Sequence, residues 1–329
     1  MGAPPLRTPI PLGMSLPHRS PEPVDMAVVR TVAQRAEALG FRDLWVTENT
    51  LDHVFSFDPT VILTYAATVT TTIRVGVSVA VLPVHHPVHV AHQMATLDYV
   101  SNGRAILGVG LGRDAHYAEF QVPLEHRVRR FREQLELIKA LWTEPKVSYR
   151  GSIYHLDGAG IVLRPVQKPH PPIWIGGGTQ PSEKIYGQTV ASIDPVLRRI
   201  AKYARTWVPH SSSTAEMVRG DWEKIQRFMG DFGRKPEEMS KVYSNFIWVL
   251  KPGEKPESAI PRFKVYSGMD LEYWREFYLL GEAEELADRI RGKLDALGGC
   301  EWVVLNPLDW GTEQLELLAG EVLPRVAKR

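Results

Sequence analysis

The sequence predicts an α/β fold, a (β/α)8 TIM barrel, on three observations. Eight short apolar runs alternate with stretches of helical spacing along 329 residues. Residues 72–114 read as strand, helix, strand and glycine loop, the connection that a parallel pair of strands requires. Glycine-spaced turns follow the fourth and fifth apolar runs, at the strand ends where barrels place their ligands. A doubly wound sheet is the runner-up.

Residues 10–16 form the first expected strand. Residues 24–39 are helical, because Val28, Val29, Val32, Ala36 and Leu39 share one face and Gly40 stops the run. A second strand at 44–47 leads into the polar loop TENTLDHVFSFD, and Asp58-Pro59 starts a helix through Thr68. The third strand is the β-branched run 73–82. A helix over 87–101 stops at Asn102-Gly103, and the fourth strand is 104–109. Residues 127–142 place Phe131, Leu135, Ile138 and Trp142 on one helix face.

Residues 147–164 then break the alternation with a hairpin turning at Arg150-Gly151. PVQKPHPP leads into a fifth strand at 173–175. Helix 195–203, strand 206–208, helix 215–228, strand 242–250, helix 283–297, strand 302–305 and helix 312–326 complete the count. The barrel therefore carries insertions after strands 4, 5 and 7, at 147–164, 180–194 and 251–280, within one domain over 1–329. Structureless loops of this length are usually functional. The last insertion holds Phe263, Tyr266, Tyr273, Trp274, Phe277 and Tyr278, expected as a lid or pocket wall, with a subunit contact as the alternative.

Charge and composition exclude several classes. With 39 basic against 38 acidic residues and no long charge block, nothing suggests a nucleic-acid groove. No apolar run approaches the roughly 18 residues of a membrane helix. The proline-rich start, MGAPPLRTPIPLG, has no signal-peptide core, and Leu6 stands where a myristoylation signal needs Ser or Thr. A cytoplasmic protein with a small-molecule substrate is the expectation. A lone Cys300 excludes an intrachain disulfide and a cysteine-based zinc site. The cluster His85, His86, His89 and His92 lacks a carboxylate or cysteine at useful spacing, so no metal is expected, although His85 or His86 can touch a ligand at the barrel mouth.

Two features carry chemistry. The turns Gly108–Gly112 and Gly176–Thr179 let backbone amides approach an oxyanion, and Arg113 adds charge. Neither is a P-loop, and GxGxG does not meet the dinucleotide fingerprint. The loop after strand two offers Glu48, Asn49, Asp52 and His53, which either do acid/base work or form a solvated loop.

The segments WVTEN (45–49), DPTVILTYAATVTTTIRVGVSVAVLP (58–83), HPVHVAHQMATLDYVSNGRAILGVGLG (86–112) and RPVQKPHPPIWIGGG (164–178) together resemble the bacterial luciferase-like oxidoreductases, a superfamily of F420-dependent and FMN-dependent enzymes. The likeness runs over about residues 8 to 327 and ends in LELLAGEVLPRV. It implies a ring cofactor across the C-terminal mouth, resting on a bulge at Ser78, Val79, Ala80 and Val81, often with a non-proline cis peptide. Its phosphate maps to Gly176, Gly177, Gly178 and Thr179 and to the strand-six end from Trp207 to His210. Gly110 and Gly112 approach the side chain of the cofactor, with Arg113 near a phosphate or acidic tail.

The resemblance thus implies hydride transfer between F420 and a small organic substrate, with His53 or Glu48 managing the substrate proton. The alternatives are an FMN-dependent monooxygenase using O2, served by a flavin reductase, and a cofactor-free binding barrel. Many relatives carry a histidine where this chain has Asn49. A homodimer is expected both from base rates and from the resemblance.

Overall fold

The computed structural model describes residues 12–187 and 192–327. The start of the first expected strand and part of the 180–194 insertion lie outside the described residues. Eight parallel strands form the sheet: β1 (Leu12–Ser15), β2 (Asp43–Val46), β3 (Arg74–Val81), β4 (Ala105–Gly110), β5 (Ile173–Gly176), β6 (Thr206–Val208), β7 (Ser240–Leu250) and β8 (Trp302–Pro307). Each pairs with its chain neighbour, β1 pairs with β8, and the β6–β7 pairing joins the ends of the sheet, so the barrel is closed. Outside it lie α1 (Met26–Leu39), α2 (Pro59–Thr68), α3 (Pro87–Val100), α4 (Arg127–Thr143), α5 (Asp194–Tyr203), α6 (Ala215–Asp231) and α7 (Ala283–Ala296). The C-terminal helix is broken into Glu313–Leu317, a π-turn at Leu318–Val322 and Leu323–Ala327.

Local chemistry sets these boundaries. Asp25 caps α1 through the Ala27 amide, and Gly40 ends it at φ 88°. Asp58 caps α2 with Pro59 in the first turn, and Thr214 caps α6 through the Met217 amide. The turn before β4 is closed by a buried guanidinium. Arg104 donates to the carbonyls of Ser101, Ile73, Ala67 and Thr70. Asp98 accepts from the Gln167 amide and side chain, which docks the run into β5. The SNGR and PVQK segments are therefore structural ties between strands, well away from the mouth.

The barrel lumen is plugged by tryptophan. Trp45 and Trp174 lie 4.4 Å apart between ring centroids, and Trp174 meets Trp302 at 5.5 Å. Space for the Trp45 indole exists because its neighbours on β1 and β3 are glycines. A Cβ on Gly13 or Gly76 would fall 2.6 or 2.4 Å from that ring. This plug closes the lower lumen and forms the floor of the mouth above it.

The expected hairpin is Val147–Arg150 against His155–Ala159, held where buried Glu133 accepts the amides of Ser152, Ile153 and Tyr154. The insertion after β7 departs from the expectation of a long loop. It holds the helices Ile260–Tyr266 and Leu271–Phe277, and its strand Leu279–Glu282 extends the sheet beside β7. Phe263, Tyr273, Trp274, Phe277 and Tyr278 pack with Trp248 and Leu250 into a core of their own. These aromatics are buried and line neither mouth cavity, whereas Tyr266, the sixth, lines the smaller of the two. Helical spacing at 260–277 is short and interrupted, which hid the second core from a pattern reading.

Candidate active site

Strand ends at the C-terminal mouth surround a cavity of about 590 Å³, an ordinary size for a small-molecule site. Its wall on the β4–β6 side is backbone and guanidinium. Gly110, Leu111, Gly112 and Arg113 follow β4, Gly176–Gly178 follow β5, and Pro209, His210 and Ser211 follow β6. Arg127 and Arg199 reach in from α4 and α5. On the opposite side the lining includes Ser15, Thr47, Ser244, Asn245, Phe246 and Asn306, with Trp45 and Val304 below. Among the described residues, arginine is the only fully charged residue type in the lining, and no carboxylate lines the cavity.

Arg199 is the deepest of the three arginines, at 8% exposure. Burial lowers its pKa to about 10, against the pull of Tyr117, so it remains a cation at neutral pH. Its Nε has no hydrogen-bond partner. Arg127 pairs with Asp114. A buried guanidinium with an open donor is a site for an anion.

The glycine turns are shaped by packing as much as by a ligand. The bulge in β3, a register shift between Val77 and Ala80 with a cis peptide at Ser78-Val79, pushes Val79 toward β4 and β5. A Cβ on Gly110 would meet Val79 Cγ2 at 2.8 Å, and one on Gly112 would meet Val81 Cγ1 at 2.4 Å. After β5, the Gly177 amide donates to Val208 O, and the Thr179 amide and hydroxyl donate to Asp221. Gly177 and Gly178 hold φ of 146° and 150°, a backbone conformation that only glycine adopts easily.

The expected site residues divide accordingly. Ser78, Val79, Gly110, Gly112, Arg113, Gly176, Gly177 and Gly178 line the cavity. Thr179 does not, because its polar groups are committed to Asp221. Trp207 is also placed differently from expectation. It is fully buried beneath the loop, donating Nε1–H to Gly177 O at 2.7 Å, and it holds the turn without facing the cavity. Ala80 packs on the outer face of β3. Val81 faces a second cavity, of about 390 Å³, lined by Arg19, Glu48, Asn49, His53, His116, Phe120, Lys264 and Tyr266 among others. Arg113 walls both cavities.

Glu48 is engaged twice. Oε1 lies 2.6 Å from His85 Nε2, and Oε2 accepts the Val81 amide at 2.6 Å. Burial pushes its pKa up, but the His85 hydrogen bond and charge and the Val81 amide outweigh that and bring it below the usual value. Glu48 is thus an ionised clamp on the bulge. His53 is corrected as well. Its ring is 72% exposed and leans on Asp52 at 3.0 Å, so it stands at the solvent rim of the second cavity. Asn49 turns inward and donates Nδ2–H to Thr47 Oγ1 at 2.5 Å.

That contact leads to a residue the sequence reading missed. His18, fully buried after β1, has Nδ1 2.7 Å from Leu16 O and Nε2 2.8 Å from Thr47 Oγ1, and Nε2 also accepts the Thr47 amide. Those partners define the neutral ring with its proton on Nδ1. Burial lowers its pKa to about 4. His210, at the β6 end, is likewise lowered to about 4 by burial. His18 stands alone between prolines and arginine in the sequence, with no periodic signal. Among the described residues, no group of three or more His, Cys, Asp or Glu is arranged to hold a metal ion, and no helix is long and apolar enough to cross a membrane.

The frame is a closed parallel barrel with a bulged third strand and a mouth lined by arginine and glycine. The luciferase-like monooxygenase family model matches residues 10–299, and the chain belongs to that family. An uncharacterized protein of Sinorhizobium fredii is 31% identical over 183 residues, and the match spans 54% of this chain and 54% of that protein. The chain thus aligns with only about half the length of that relative. The 4-hydroxyprotoasukamycin monooxygenase of Streptomyces nodosus subsp. asukaensis is 27% identical over 323 residues, covering 89% of this chain and 85% of that one. The F420-dependent tetrahydromethanopterin reductase of Methanopyrus kandleri shares the fold at TM-score 0.76 and 20% identity, over 96% of this chain and 99% of that one. The oxygenating constituent of a Pseudomonas putida 3,6-diketocamphane monooxygenase, in complex with FMN, does so at TM-score 0.72 and 16% identity, over 96% and 99%.

Proposed function

We propose that this chain is an oxidoreductase that transfers hydride between F420 and a small organic substrate. The observation that carries the reading is the polarity of the main cavity: guanidinium and glycine turns on one side, neutral hydroxyl and amide groups on the other. Arg199, Gln180 and Asn306 line the cavity, and each carries a buried polar atom without a partner, Nε, Oε1 and Oδ1, where buried polar groups are normally satisfied. They fit a ligand that is anionic at one end and polar-aromatic at the other. Three arginines suit a phosphodiester with an acidic tail better than a single phosphate. When bound, F420 supplies a ring carbon that accepts or donates hydride.

The chain's own residues do the remaining work. Arg199, Arg113 and Arg127 hold the anionic portion. Val79 and the Trp45 floor support the ring, and the ionised Glu48 fixes the bulge through the Val81 amide. The second cavity, sharing Arg113 with the first, takes the substrate. There His116 accepts the Arg113 amide on Nδ1 at 3.0 Å, and burial and Arg113 keep it below the usual histidine pKa. Its other ring nitrogen, Nε2, then carries the proton and is the group that donates to a substrate oxygen, in place of His53.

An FMN-dependent monooxygenase, supplied by a flavin reductase, is the second reading. It is favoured by the monooxygenase that aligns over 323 residues. A cytoplasmic homodimer fits either reading, supported by balanced charge and by the frequency of twofold assemblies. Fluorescence titration of the apo-protein with F420 and with FMN tests the choice. Tight F420 and weak FMN binding is expected. The reverse selects the monooxygenase, and binding of neither at micromolar concentration overturns both in favour of a cofactor-free barrel.

A further inference from the structure

We propose that Asn306 is the residue that reads the imide edge of the bound ring, and so sets which end of that ring faces the β8–β1–β2 wall. The inference rests on the cofactor reading above. Along β8, Val304 faces the lumen and packs with Trp45, Trp174, Val208 and Val242. Strand alternation puts Asn306 on the same inward face, one step nearer the mouth. There it lines the main cavity, and its Oδ1 is cut off from solvent and has no partner.

Its neighbour on β7 makes an instructive contrast. Asn245 also has an unpartnered Oδ1, but its Nδ2 donates to Tyr243 Oη and Phe277 O, which lie on the outer side of the strand. Both asparagines line the main cavity, but Asn245 is tied through Nδ2 to the outer side of β7, while Asn306 follows Val304 on the inward face of β8. β8, β1 and β2 are centred opposite β5, across the mouth from the turns and arginines that hold an anion. A ligand anchored by its phosphate at β4–β6 therefore brings the far end of its ring to Asn306.

A primary amide offers an acceptor beside a donor, whichever way it is turned. Its complement is an N–H flanked by carbonyls, the imide edge common to flavins and deazaflavins. The methylated end of a flavin offers no such pair. The Ser244 hydroxyl, which also lines the cavity, serves the second carbonyl. A site built to hydrogen-bond a particular N–H rejects the analogue lacking it.

The test is fluorescence titration of the apo-protein with FMN and N3-methyl-FMN, and with the matching 5-deazaflavin pair, for the wild type and for Asn306→Leu. N3-methylation is expected to weaken binding to the wild type by about tenfold or more. Asn306→Leu is expected to bind more weakly and to lose the discrimination. Equal binding of the methylated and unmethylated ligands by the wild type overturns the proposal, and needs no variant to fold. Retained discrimination in a folded Asn306→Leu variant also overturns it. Binding of no flavin or deazaflavin at all is a different result, which removes the cofactor reading itself.

Discussion

On the β4–β6 side of the mouth, the cavity wall is glycine backbone locked from behind. Trp207 holds Gly177, Asp221 holds Thr179, and Tyr117 donates to Leu111 O at 2.6 Å. Charge enters there from helices, through Arg127 and Arg199. On the β8–β1–β2 side, the wall is short neutral side chains, and the locking residue is a buried histidine behind Thr47. One side offers charge on a rigid frame and the other offers directional hydrogen bonds without charge. A ligand is held by the first and oriented by the second, because charge attracts at range while neutral donors and acceptors discriminate only at contact.

Each side conceals one neutral histidine, His18 or His210, and pH therefore strains both. Burial takes each ring from the ordinary histidine value of 6.5 down to about 4. The unfolded chain binds the proton that the folded chain refuses, so stability is full above pH 6.5 and falls as pH drops toward 4. The loss reaches the order of 3 kcal/mol for His18, and less for His210, whose ring edges the open cavity. Urea unfolding at steps between pH 7 and pH 4 measures it. His18→Gln is expected to flatten much of the slope, and an unchanged slope in that variant would refute the assignment.

Arg199→Gln separates anchoring from orientation. F420 affinity is expected to fall roughly 30-fold, about 2 kcal/mol, while affinity for the same deazaflavin ring without its phosphodiester tail stays nearly constant. A parallel loss for both ligands would place Arg199 outside the anion site. Gly178→Ala attacks the frame itself. Its φ is 150°, and the new Cβ falls 2.7 Å from Asp221 Oδ2, so a loss of about 1–3 kcal/mol is expected in thermal unfolding. Thr47→Val, on the opposite wall, is the mildest. It leaves Asn49 Nδ2 unsatisfied and should cost about 1 kcal/mol, read as a lower urea midpoint with no change in slope.

The barrel was legible because its signals are local. Alternating apolar runs, the caps Asp25 and Asp58 and the stop at Gly40 act within a few residues. The glycine turns after β4 and β5 were visible for the same reason, although much of their glycine requirement proves to be room for Val79 and Val81. The resemblance maps Trp207 and Thr179 to the ligand, but it does not reveal which way a side chain turns at a strand end.

By itself, the sequence determined the order of strands and helices, the insertion points and the arginine-flanked turns, because these follow from patterns along the chain, while the position of the bulge came from the family resemblance. Only the tertiary structure decided which side chains meet. Asn49 reaches Thr47 within the same loop, but His18 meets Thr47 across 29 positions. Glu48 meets His85 across 37, and Thr179 meets Asp221 across 42. No periodicity encodes such pairings, because closure of the barrel creates them. The same closure turned the aromatics of 263–278 into a buried core beside the barrel and brought Asn306 to the mouth opposite the arginines.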